Sequence, residues 1–99
     1  MIKLPDGVPD AFFRDGREYH VFPTMVGMSY KDCYKCWVNK VPILRMPKVL
    51  DRYCEVAGWS VGWVSDNRLV GIASVNDARS FLSELGVNTD FRIVGDVVR

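Results

Sequence analysis

Two β-type runs, Trp59-Ser60-Val61-Gly62-Trp63-Val64-Ser65 and Arg68-Leu69-Val70-Gly71-Ile72-Ala73, flank the pair Asp66-Asn67, and an amphipathic segment from Val75 to Leu85 follows at once. Asp and Asn both tolerate the positive φ that a tight two-residue hairpin loop needs, so the runs read as paired antiparallel strands. A two-residue loop fixes the register: Trp63 should oppose Val70, Val61 should oppose Ile72, and Gly62 should face Gly71. Trp59, Val61, Trp63, Val70 and Ile72 would then share one bulky face. The glycine pair on the other face weakens the strands, so something should approach there closely, most simply a helix of the same chain. Ser74 and Asp77 form a capping arrangement for the helix, Val75, Ala78, Phe81, Leu82 and Leu85 form its buried stripe, and Gly86 ends it.

The N-terminal region repeats the hairpin logic. Asp15-Gly16 separates Ala11–Arg14 from Arg17–Phe22, and Pro23 should end the second strand because it has no N–H to donate. Ser29 and Asp32 then open a helix whose stripe is Tyr30, Cys33, Tyr34, Trp37 and Val38, stopped by Pro42. Pro47 suits the start of a further helix, with Val49, Leu50, Tyr53, Cys54 and Ala57 on one face and Gly58 closing it. Phe91 to Val98 reads as a last strand. The predicted order is β-β-α-α-β-β-α-β: a small α+β domain with two hairpins and a C-terminal strand in an antiparallel or mixed sheet, packed against two or three helices.

Length allows one domain, residues 1–99, with no second core. No apolar run approaches the roughly 18 residues of a membrane-spanning helix. The start, Met1 to Gly7, lacks the apolar stretch of a signal peptide, and three cysteines fit reduced thiols better than a disulfide framework, so a cytoplasmic location is expected.

Chemistry-bearing patterns are scarce. Cys33-Tyr34-Lys35-Cys36 with Cys54 and His20 has the donor types of a structural zinc site, but such sites use two close-spaced ligand pairs, and Cys33 and Cys54 lie on predicted buried stripes. Whether these four side chains converge is left open by the sequence, and no metal or cofactor is expected. Alternation along the strand places His20 with Glu18 and Phe22. No Gly-rich turn or oxyanion arrangement supports a nucleophile pair of His20 with Cys33 or Cys36, and no phosphate-binding loop or carboxylate pair in a shared cleft can be read, so no catalytic residue is assigned.

The net charge of +1 conceals a basic middle: residues 29–55 hold six basic side chains against three acidic. Lys31, Lys35, Lys48 and Arg52 among aromatic residues would suit a nucleic-acid backbone, yet the helical pattern buries Tyr34, Trp37 and Tyr53, and the sequence pI is near 7.7. The stronger signal is twelve aromatic residues for one small core. Some must reach the surface, where aromatic side chains and open strand edges serve contacts. The reading is a non-catalytic protein-interaction module, self-associating as a homodimer or binding another protein through Trp59, Trp63, Val70, Ile72 and Val97. The competing uses are an apolar or aromatic small-molecule site lined by Trp59, Trp63, Met25, Met28 and Met46, and nucleic-acid binding through the basic residues.

Overall fold

The two hairpin turns organise the structure, a computed structural model that describes residues 3–40 and 56–95 together with the backbone of 48–49 and 52–53. Asp15 and Gly16 have φ of 53° and 76°, and Asp66 and Asn67 have φ of 52° and 62°. Both loops therefore take the doubly left-handed conformation that matches the twist of the flanking strands. The first joins β1 (Ala11–Arg14) to β2 (Arg17–Met25), and the second joins the long strand Val56–Ser65 to the short strand Arg68–Ile72. Two further short strands, β3 (Lys48–Val49) and β4 (Arg52–Tyr53), pair with each other, so the long and short strands are β5 and β6. The main sheet is antiparallel, in the order β1-β2-β5-β6.

Both predicted caps form. Ser29 Oγ accepts the Asp32 N–H (3.2 Å) at the start of α1 (Tyr30–Val38), and Ser74 Oγ accepts the Asp77 N–H (3.1 Å) at the start of α2 (Val75–Glu84). The helices cover opposite faces of the sheet. Ala78 and Leu82 of α2 pack on Phe12, Tyr19, Val21, Trp59 and Val61, while Cys33 and Tyr34 of α1 pack on Phe22, Val64 and Leu69. Complete burial of Phe22 and Leu82 contributes roughly 1.5–3 kcal/mol each. Trp37 of α1 meets Trp59 edge to face (5.8 Å) and so ties the two clusters together. Each stripe ends a turn early, since Val38 and Leu85 are exposed. No helix among the described residues is long and apolar enough to cross a membrane.

Four expectations are corrected. The helix predicted after Pro47 is absent where the chain is described: Lys48 pairs with Tyr53 and Val49 with Arg52 across β3 and β4, and Ala57 and Gly58 belong to β5. Val49, Tyr53 and Val56 are β-branched or aromatic, and Met46, preceding Pro47, supplies no capping oxygen. Leu50 and Cys54 lie outside the described residues. Second, β2 continues through Pro23. Its odd-numbered N–H groups face β1, as the bond from Val21 N–H to Asp10 O (3.1 Å) shows, and β1 has ended by residue 23, so the ring removes no ladder bond.

Third, a bulge between Trp63 and Val64 shifts the second hairpin, so that Trp63 opposes Gly71 and Gly62 opposes Ile72. A Cβ on Gly62 would run into Leu69 Cδ1 and lie 3.1 Å from Phe22 Cε1, so two strand side chains fill its space, whereas Gly71 has open space. Fourth, the described part of the predicted last strand, residues 91–95, makes a single parallel bridge, Ile93 to Trp59, and residues 96–98 lie outside the described residues. The Trp59 N–H donates to Arg92 O (3.0 Å), the Val94 N–H donates to Trp59 O (2.7 Å), and Ser60 Oγ donates to Val94 O (2.7 Å). Ser60 also bonds Thr24 Oγ1, and both hydroxyl residues are fully buried.

Candidate functional site

Alternation along β2 turns Glu18, His20 and Phe22 toward α1, where they meet Tyr34. His20 Nε2 lies 2.6 Å from Glu18 Oε2, and the Tyr34 hydroxyl lies 3.2 Å from His20 Nδ1. One hydrogen-bond polarity satisfies all three groups around a neutral imidazole: the phenol donates to Nδ1, and Nε2–H donates to the carboxylate. Burial, and secondarily the Glu18 charge, push the Tyr34 phenol above its ordinary value, which keeps it a protonated donor. The line orients His20 beneath α1. Cys33 does not take part in it, because its Sγ accepts the Met25 N–H (3.2 Å) within the core. No cluster of three or more His, Cys, Asp or Glu among the described residues is placed to hold a metal ion. Cys54 is outside them.

Of the five residues expected at an interface, the four that are described do not share one surface. Trp59 is 8% exposed and belongs to the core beneath α2. Trp63, on the same face, is half-buried with the Arg17 guanidinium 4.1 Å above its ring. Ile72 packs into the opposite cluster, beside α1, because the bulge reverses its facing. Val70, beside the bulge, is 50% exposed, and Val97 lies outside the described residues. The apolar pocket is likewise divided: Met25 and Met28 are core residues on the α1 side, away from Trp59 and Trp63, and Met46 lies outside the described residues. Of the basic group, Lys31 and Lys35 are exposed one turn apart on α1, while Lys48 and Arg52 occupy non-matching positions in the β3–β4 register.

A different surface emerges at β1. Phe13 is 76% exposed, the most of any large hydrophobic side chain among the described residues. Phe12, its neighbour, stacks on Tyr19 (5.5 Å, 17°) and packs beneath α2. Arg14 and Arg17 close the turn as mutually bonded partners, so Arg14 and Phe12 direct their backbone groups at β2. The N–H and C=O groups of Ala11 and Phe13 therefore point outward, to an edge that no strand among the described residues covers. Arg14 is fixed on the α2 face, its Nη1 paired with Glu84 and its guanidinium 5.4 Å from the Phe81 ring. Phe13 was legible in principle. Two adjacent aromatic residues in a strand must face opposite ways, and Tyr19 and Val21 claim only one of those faces for the α2 core.

A comparison with known proteins finds no protein-family model, no curated sequence and no solved structure that matches the chain.

Proposed function

We propose that this chain is a non-catalytic protein-interaction module that self-associates through the open edge of β1, with Phe13 as its apolar anchor. The observation that carries the reading is the placement of a 76% exposed phenylalanine on a straight edge strand with unused backbone donors and acceptors. Strand addition draws affinity from such main-chain groups and specificity from the side chains beside them. The Glu18–His20–Tyr34 line supports the non-catalytic reading, since its phenol is held as a hydrogen-bond donor and its imidazole is saturated on both nitrogens by neighbours. The odd number of thiols fits a working place in the reducing cytoplasm.

The test is native mass spectrometry of the full chain across low micromolar concentrations, beside Phe13→Lys. The wild type is expected to populate a metal-free dimer, and the variant a monomer with an unaltered melting temperature. A wild type that stays monomeric throughout that range defeats self-association.

A further inference from the structure

We infer that a second copy of this chain adds to β1 in one register, antiparallel, with the two-fold axis passing beside Phe12. The inference rests on the self-association proposed above and specifies its geometry. Only Ala11 and Phe13 point backbone groups outward, so a two-fold arrangement must pair those residues with each other or with themselves. An axis at Ala11 would set Phe13 against Pro9, which has no N–H to give. An axis at Phe13 would set Ala11 against Asp15, whose φ of 53° has already turned the chain out of the strand. An axis at Phe12 pairs Ala11 with Phe13 of the second copy twice over, and every outward group finds a partner.

The side chains agree with that register. Phe13 lies opposite Ala11 of the second copy, large against small, on the face that α1 covers. Asp10 lies opposite Arg14 of the second copy, on the α2 face. The Asp10 side chain is exposed and joins no ion pair among the described residues, while Asp10 O still accepts the Val21 N–H, so residue 10 extends β1. The Arg14 guanidinium already meets two carboxylates, Nη1 pairing with Glu84 and Nε lying 3.5 Å from Asp15 Oδ2, but it carries five N–H donors, so its outer N–H groups can take a further carboxylate. The two-fold stands normal to the sheet, making one eight-stranded sheet with both α2 helices on one side. Five residues per copy is a small interface, so assembly should be reversible, with dissociation in the micromolar range.

Charge exchange tests the register. Asp10→Lys alone and Arg14→Glu alone each set like charges against each other at both two-fold contacts. Each homodimer should weaken about tenfold or more. Mixing the two variants opposes one cation to one carboxylate at each of the two contacts, so native mass spectrometry should find the heterodimer enriched over both homodimers. Recovery on mixing also shows that each variant folds. Heterodimer at no more than the statistical proportion, from a wild type that does dimerise, overturns the register and leaves the interaction reading standing. A monomeric wild type overturns both. Amide hydrogen exchange of the unaltered chain gives an independent reading: raising the concentration should protect Ala11 and Phe13, and their unchanged exchange in a demonstrated dimer overturns the register.

Discussion

The two sides of the sheet treat their edges differently. β1 is short and straight, paired with β2 without a register shift, and its outer backbone groups are uncovered among the described residues. The opposite side is less regular. β6 covers only the loop-proximal part of β5 and carries a bulge, and the remaining length of β5 is taken by residues 92–94 in a parallel bridge. Bulges and covering segments are the means by which folds blunt strand edges. β1 keeps a straight edge, whereas the other side is bulged along β6 and covered along β5 only beyond the end of β6, and such an asymmetry is expected when one edge has a partner to receive.

The closed side should fail most severely at Gly58. A Cβ there would lie 2.9 Å from the Arg92 carbonyl oxygen and 2.7 Å from Val94 Cγ2, and a backbone carbonyl in a ladder cannot yield as a side-chain end can. Gly58→Ala should push the 92–94 segment off β5 and cost about 2–3 kcal/mol by urea unfolding. Exchange of the Trp59 and Val94 amides should rise at the same time. Equal stability to the wild type would mean that the segment contributes little to closing the edge.

Ser60 is the next link inward. Its hydroxyl donates to Val94 O and bonds Thr24 Oγ1, so one buried side chain ties β2, β5 and the covering segment together. Ser60→Ala leaves a carbonyl and a hydroxyl without their partner and should lower stability by about 1–2 kcal/mol in thermal or urea melts. Association through β1 should be untouched, because neither group faces that edge. A loss of dimer with retained stability would move the contact surface to the covered side.

Where local chemistry decides the outcome, the structure was legible in the sequence. Asp15-Gly16 and Asp66-Asn67 make their turns, and Ser29 and Ser74 cap their helices, because each acts within four residues of itself. The misreadings arise where partners at a distance decide. Pro23 looked like a strand end, but which of its neighbours receives an N–H depends on where β1 stops. Val70 and Ile72 looked like companions of Trp63 until the bulge changed their facing. Gly58 looked like a helix terminus, and its actual role is to admit a segment more than thirty residues away. The candidate site was least legible: the aromatic residues do outnumber the places in the core, but Trp59 and Trp63 are covered by Trp37 and Arg17, partners that periodicity cannot supply. Phe13, left over after Phe12 enters the core, remains exposed.

The smallest expected effect distinguishes the two sides by pH. Tyr34 binds His20 one strand in from β1, and its phenol is pushed above the ordinary tyrosine value of 10.0, chiefly by burial and then by Glu18. In the unfolded chain the phenol ionises at the ordinary value, while the folded chain still holds the proton. The unfolded state therefore gains from rising pH first. The stabilisation is complete below about pH 10 and is lost as pH climbs through the raised folded-state value. Tyr34→Phe should cost about 1 kcal/mol near neutral pH through the lost bond to Nδ1, and it should flatten the alkaline decline. Ultraviolet titration of the tyrosines beside melts at rising pH checks both parts. In hydrogen exchange, the alkaline loosening should begin around β1, β2 and α1 and leave the Trp59–Val94 ladder protected. If the ladder opens first, alkaline sensitivity belongs to the closed edge, and the polar line has no special tie to the open one.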